Sequence, residues 1–91
     1  MLTVGLIGAG RIGRVHANSI SMHANSKLVA VADVIEDNAL KLARDFGGQA
    51  CSSDAIYKDK SIDAVLVASS TDTHSEIIEK ASLAGKAVLC E

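Results

Sequence analysis

No proline occurs anywhere in the 91 residues, tryptophan is absent, and one Tyr and one Phe make up the whole aromatic content. Without proline, no loop is rigidified by a fixed φ. Without aromatics, the core must be built from Val, Ile, Leu and Ala, and no stacking platform for single-stranded nucleic acid exists. Basic blocks are also missing. The formal net charge is -2, which argues against nucleic acid or an anionic membrane surface as partner. No apolar run approaches the ~20 residues that cross a bilayer. Met1 leads directly into an apolar segment, leaving no room for a signal peptide. Cysteine is scarce: Cys51 and Cys90 are far apart and lack a CxxC spacing. The reading is two buried, reduced thiols in a cytoplasmic protein, with no metal site.

What remains is 48% hydrophobic, ample for one small packed domain. Its aliphatic residues fall into short continuous runs, as strands buried on both faces do. Leu2–Ile7, Lys27–Asp33, Ile62–Ala68 and Ala87–Cys90 read as strands, and Gln49–Cys51 as a short one. Between them lie helical patterns. Arg14–Ile20 follows the first strand. Ile35, Ala39, Leu42, Ala43 and Phe46 recur at helical spacing after the second. Glu36 and Asp37 precede Lys41 and Arg44 there, as the helix dipole favours, and Gly47-Gly48 supplies a left-handed C-cap. Ser53 caps a helical turn over residues 54–57, with Ile56 or Tyr57 inward. Thr73-His74-Ser75-Glu76 fits a capping box, opening a helix with Ile77, Ile78, Ala81 and Ala84 inward and a stop at Gly85. Strand and helix alternate throughout, which predicts an α/β fold with a doubly wound parallel sheet of about five strands, order 3-2-1-4-5. A ligand belongs at the carboxyl ends of the first and fourth strands, where the order reverses.

The first strand ends in Gly8-Ala9-Gly10-Arg11-Ile12-Gly13, immediately before a helix. Gly8 allows a sharp turn, Gly10 lets a pyrophosphate approach the backbone, and Gly13 lets helix and strand pack closely. The helix start then offers unpaired N–H groups and a positive dipole end to the anion. No Gly-Lys-Ser/Thr follows, so the stretch is not a nucleoside-triphosphate loop of the Walker type. Gly13 also speaks against a methyltransferase. Asp33 ends the second strand about 20 residues on, where a dinucleotide site places the acceptor for its adenosine ribose hydroxyls. A carboxylate there repels a 2′-phosphate, and Val34-Ile35 bring no Arg to neutralise one, so NAD is expected over NADP.

Ser69-Ser70-Thr71-Asp72-Thr73-His74 follows the fourth strand and therefore reaches the same cleft. Ser69, Ser70 and Thr71 hydroxyls suit the nicotinamide-side ribose or carboxamide. For His74, a cofactor or substrate contact and a solvated first-turn imidazole both fit the spacing. Asp72 reads as a turn residue, His16 as structural and His23 as a surface residue.

The run from Gly8 to His16, then Ala32-Asp33, then Thr71-Asp72-Thr73-His74, then Gly85-Lys86-Ala87-Val88-Leu89-Cys90-Glu91, resembles the glucose–fructose oxidoreductase/inositol dehydrogenase (Gfo/Idh/MocA) family over the whole chain. Within the family the chain looks most like the myo-inositol 2-dehydrogenase branch. The resemblance implies a Rossmann-type fold, with residues 1–91 as the N-terminal part of an NAD(P)-binding domain, and oxidation of a sugar or polyol hydroxyl to a ketone. It places Gly8, Gly10 and Gly13 with the amides of Arg11 and Ile12 on the pyrophosphate, and Asp33 on the ribose. It also places Ser69, Ser70, Thr71 and His74 on the nicotinamide side, and Glu91 at the edge of the reaction centre. In the family Glu-Lys-Pro follows the last strand, and its lysine contacts the reacting hydroxyl. A C-terminal domain supplies the acid–base residues, the polyol pocket and the association surface of a homo-oligomer. The 91 residues alone are then expected to hold NAD weakly and turn nothing over. The family has proline where this chain has Ser70. Two other readings stay open: an aldose- or biliverdin-type reductase of the same family, and a non-catalytic NAD(H)-sensing module.

Overall fold

The computed structural model describes residues 2–69 and 71–90, with the side chains of Thr71, Asp72 and Cys90 left aside. Five strands and four helices alternate: β1 (Leu2–Ile7), α1 (Arg11–Met22), β2 (Ser26–Ala32), α2 (Glu36–Phe46), β3 (Gln49–Ala50), α3 (Ser53–Lys58), β4 (Ala64–Val67), α4 (Thr71–Leu83) and β5 (Ala87–Cys90). The strands form one parallel sheet in the order β3-β2-β1-β4-β5, as the alternation of patterns predicts.

Because successive strand residues point to opposite faces, each central strand serves two cores. On one face Leu6, Leu28 and Val31 meet Ala17 of α1 and Ala39, Leu42 and Ala43 of α2. On the other, Ile7, Ala32, Val65 and Val67 meet Ile56 of α3 and Ile77 and Ala81 of α4. The pairing of β1 with β2 shifts between Val4 and Gly5, where Val29 is the extra residue. That bulge sends Val29 and Ala30 to the same core, and the alternation resumes beyond it.

Several boundaries differ from the sequence reading. The fourth strand is the four residues Ala64–Val67; Ile62 is buried but precedes it. Helix α1 begins at Arg11 rather than Arg14. Ser52, not Ser53, caps α3, its hydroxyl accepting from the Ala55 N–H at 3.1 Å. Of the two inward candidates there, Ile56 is fully buried and Tyr57 only partly. In α2, Ile35 is the exposed N-cap, and Gly47 closes the helix at φ 86° as expected. The capping box at Thr73 does not form, because α4 already begins at Thr71. The Thr73 hydroxyl shares a hydrogen bond with the Ser69 hydroxyl (2.8 Å), and Glu76 pairs forward with Lys80 (2.8 Å). Ala84 is exposed and contributes nothing inward. Cys51 carries a free, half-buried thiol, pushed up in pKa mainly by burial; the Cys90 side chain lies outside the described residues.

Two polar devices hold the amino-terminal edge of the sheet. Asp63 accepts from the Thr3 N–H (3.1 Å) and hydroxyl (3.0 Å), and the Thr3 hydroxyl also approaches the Ser61 carbonyl. Lys86 is buried, and its ammonium donates to the carbonyls of Asp59 (2.6 Å) and Ile62 (2.8 Å). It thereby ties the start of β5 to the connection between α3 and β4. Replacing Lys86 by Met keeps the aliphatic stem but leaves two carbonyls without that donor. Lys86→Met is expected to lose about 1–3 kcal/mol in urea unfolding, and an unchanged midpoint contradicts the role.

The bonds from Thr3 hold the Asp63 carboxyl below the usual carboxylate range. A depressed folded-state pKa contributes stability above the unfolded value and loses it as pH falls through the folded one. The contribution of Asp63 is therefore present at neutral pH and fades below about pH 4. Asp63→Asn is expected to narrow the stability difference between pH 6 and pH 3, and an undiminished difference in urea melts at the two pH values argues against it.

Candidate functional site

The turn between β1 and α1 is shaped by close approach on two sides. Gly8 sits at φ 107°, in the region that favours glycine, and a Cβ there would lie 2.5 Å from the backbone of Ala68 and Ser69 at the end of β4. A Cβ on Gly13 would lie 1.9 Å from the Gly8 carbonyl oxygen. Gly10 differs: its ideal Cβ meets no protein atom within 4 Å, so this Cα faces open space. Gly8 and Gly13 are thus required by close packing, whereas nothing in the protein crowds Gly10.

Helix α1 has Gly10 as its N-cap and no side-chain cap. Its hydrogen-bond ladder includes Arg14 N–H to the Gly10 carbonyl at 2.9 Å. The N–H groups of Arg11, Ile12 and Gly13 precede that rung and have no carbonyl one turn back within the helix. Together with the dipole they make a helix start of the kind that suits an anion. Further along, Arg14 pairs with Asp45 at 2.7 Å and lies over the Phe46 ring at 5.6 Å. This lashes α1 to α2, and the Arg14 guanidinium holds the Asp45 carboxyl below its ordinary range, with Arg44 adding to the effect.

Asp33 follows β2 directly and stands beside the turn. One carboxylate oxygen accepts from the Ala9 N–H at 2.7 Å and the other from the Ile35 N–H at 3.0 Å. Across the cleft, the Ser69 carbonyl accepts from the Nε2–H of half-buried His74 at 2.8 Å. The imidazole is thus bonded back into its own turn.

A cavity of about 390 Å³ opens between these elements. Gly8, Gly10, Asp33 and Ser69 line it, whereas Arg11, Ile12, Gly13 and His74 do not. Ser70 and Glu91, like the Thr71 side chain, lie outside the described residues. The remaining wall comes from residues the sequence reading did not assign to the site. Val34 follows Asp33, Tyr57 and Asp54 come from α3, and Thr73, Glu76, Ile77 and Lys80 come from α4. The spacing of the α4 set, i, i+3, i+4 and i+7, is the signal that could have found it, since such residues share one helix face. The Glu76–Lys80 pair on that wall lowers the glutamate and raises the lysine in pKa, and burial raises Tyr57. Among the described residues, no group of three or more His, Cys, Asp or Glu could hold a metal ion, and no helix is long and apolar enough to cross a membrane.

Residues 2–91 match the model of the Gfo/Idh/MocA oxidoreductases, a family described as having an NAD-binding Rossmann fold. The chain belongs to this family. An inositol 2-dehydrogenase of Rhizobium meliloti is 47% identical over 87 residues, 96% of this chain and 26% of the relative. The myo-inositol dehydrogenase of Lactobacillus casei, solved with NAD(H) and myo-inositol, superposes with a TM-score of 0.94 at 29% identity, covering 99% of this chain and 28% of its own. A biliverdin reductase of Synechocystis, solved with biliverdin and NADP+, gives 0.91 at 33% identity over 98% of this chain and 28% of its own. The chain therefore spans about a quarter of the length of these proteins.

The contrast between the glycines is measurable. Gly13→Ala must move α1 or the turn to clear the Gly8 oxygen, and is expected to lose about 3 kcal/mol. Gly10→Ala meets open space and is expected to stay within about 1 kcal/mol of the parent. Urea unfolding of the two variants decides it; equal losses would contradict the geometry.

Proposed function

We propose that this chain is the cofactor-holding part of an NAD-dependent dehydrogenase that oxidises a secondary hydroxyl of a polyol or sugar, with inositol-like cyclitols the leading substrates. The observation that carries the reading is the pairing of the Gly8–Gly13 turn with Asp33. One side of the turn is open at Gly10 and the helix start behind it has three amides without intrahelical acceptors, while a carboxylate stands beside it. These residues fit a dinucleotide. The amides of Arg11, Ile12 and Gly13 hold its pyrophosphate, and Gly10 permits the approach. Asp33 has lone pairs to spare beyond its two backbone bonds and accepts the adenosine ribose hydroxyls. Ser69, Ser70, Thr71, His74 and Glu91 belong to the nicotinamide side of the same site.

When bound, the dinucleotide supplies the hydride chemistry, and the protein supplies orientation and electrostatics. The polyol pocket and the acid–base groups belong to the portion of such enzymes that this chain does not span. The identity to inositol dehydrogenases supports the substrate class. The free Cys51 thiol is in keeping with a reducing cytoplasm, and the half-exposed Leu89 on strand β5 with self-association.

The likeness to a protein solved with NADP+ shows that this fold serves either cofactor, so the choice falls to local charge. Asp33 stands beside the glycine turn, with Glu36 and Asp37 in the next helix turn and no Arg within residues 34–37. A 2′-phosphate there meets like charge. Fluorescence titration is expected to show NADH bound about tenfold or more tightly than NADPH, and NADPH binding as tight or tighter would overturn the assignment.

A further inference from the structure

Asp33 does more in this fold than stand ready for a ribose. We propose that it is a positioning residue for the phosphate grip, acting through the Ala9 amide. The inference rests on the cofactor reading above and adds a second role for the same side chain.

The turn after β1 is attached to the end of β2 by two consecutive amides. Gly8 N–H donates to the Ala32 carbonyl at 2.8 Å, continuing the sheet ladder. Ala9 N–H donates to the Asp33 carboxylate at 2.7 Å, replacing the next rung with a side chain. The Ile35 N–H on the other oxygen, at 3.0 Å, fixes the carboxylate in place. Ala9 itself is buried, 7% exposed, so an unbonded N–H there would lose water and gain nothing. The Gly8–Ala9 peptide is consequently oriented by Asp33, with its amide turned toward β2. The Ala9 amide is thereby committed to Asp33, and the amides of Arg11, Ile12 and Gly13, without intrahelical acceptors, are the ones left for an anion. One carboxylate so couples the ribose position to the pyrophosphate position through a single peptide.

This role opposes the effect of charge. A carboxylate beside a pyrophosphate repels it, so if Asp33 acted only as a charge and a ribose acceptor, removing it would leave binding of a ribose-deficient anion unchanged or tighter. If it holds the turn, removal weakens that binding. Two measurements separate the cases. In the nucleotide-free protein, hydrogen exchange of the Ala9 amide is expected to be about tenfold faster or more in Asp33→Ala than in the parent, as loss of a charged acceptor implies. Amides of β4 in the same sample serve as the reference for global stability. Asp33→Asn keeps an oxygen that can accept from Ala9 but loses the acceptor for Ile35, and is expected to restore part of the protection. The second probe is 2′,3′-dideoxyadenosine 5′-diphosphate, which has the diphosphate but neither ribose hydroxyl. Its affinity is expected to fall severalfold in Asp33→Ala and to recover in Asp33→Asn. Parent-like exchange at Ala9 in Asp33→Ala, or unchanged or tighter binding of the dideoxy nucleotide there, would overturn the proposal. Failure of the parent protein to bind NADH would count against the cofactor reading alone, because the exchange measurement contains no nucleotide.

Discussion

The contact on which the site depends is the one between Gly13 and the Gly8 carbonyl. Any side chain at residue 13 would occupy the volume of that oxygen, since even a Cβ would lie 1.9 Å away. Because the contact is permitted, α1 starts directly over the end of β1, and the turn that leads into it bonds to Asp33 through Ala9 and closes against the end of β4 at Gly8. A helix pushed outward would keep its dipole but lose its position relative to both. Gly8 matters for the same reason in the other direction, letting the turn close against Ala68 and Ser69. The site is therefore a product of packing before it is a product of charge.

That packing is sustained by a sheet used on both faces. With a single Phe and a single Tyr in the chain, the two cores are filled by short aliphatic side chains, and small residues such as Ala17, Ala32 and Ala81 let the helices lie close. Crossing from one core to the other happens at the switch between β1 and β4: α1 and α2 cover one face, α3 and α4 the other. The cavity opens where these sets diverge. Its α3–α4 wall and its glycine turn come from opposite sides of the sheet, which is why residues distant in sequence, such as Gly10, Asp33, Tyr57 and Lys80, share one space.

Most of this was legible in the residue pattern. Aliphatic runs bounded by glycine and polar turns locate every strand, and their alternation with helical spacing is enough for the order 3-2-1-4-5. The turn Gly8–Gly13 and the position of Asp33 needed only spacing. Helix starts were not legible to the residue. From Ser69 to Thr73 every side chain carries a hydroxyl or carboxylate that could cap a helix, and local chemistry does not choose among them. The end of β4 sets where α4 begins, and Thr73 consequently turns its hydroxyl to Ser69. The same ambiguity moved the cap of α3 from Ser53 to Ser52. The α4 wall was missed for a different reason: Ile77 is read as core by its hydropathy, and only the topology shows that the same helix face runs on past the core into the cleft through Thr73, Glu76 and Lys80. Lys86 could not be foreseen as buried, since nothing local distinguishes a lysine that ends in two carbonyls from one that ends in water.

Asp33 shows where reading by spacing stops being sufficient. The position after β2 identifies a carboxylate suited to a ribose, and that reading treats the side chain as waiting for a ligand. In the folded chain both oxygens already accept backbone amides, and a carboxylate retains further lone pairs for hydroxyl donors. The two uses are compatible and differ in what they require. Ribose recognition needs an acceptor, and cofactor discrimination needs a negative charge. Holding the turn needs an oxygen at hydrogen-bond distance from Ala9, which an uncharged amide also supplies. A single residue type meets all three demands at once, so the shape of the turn constrains the identity of residue 33 independently of any ligand.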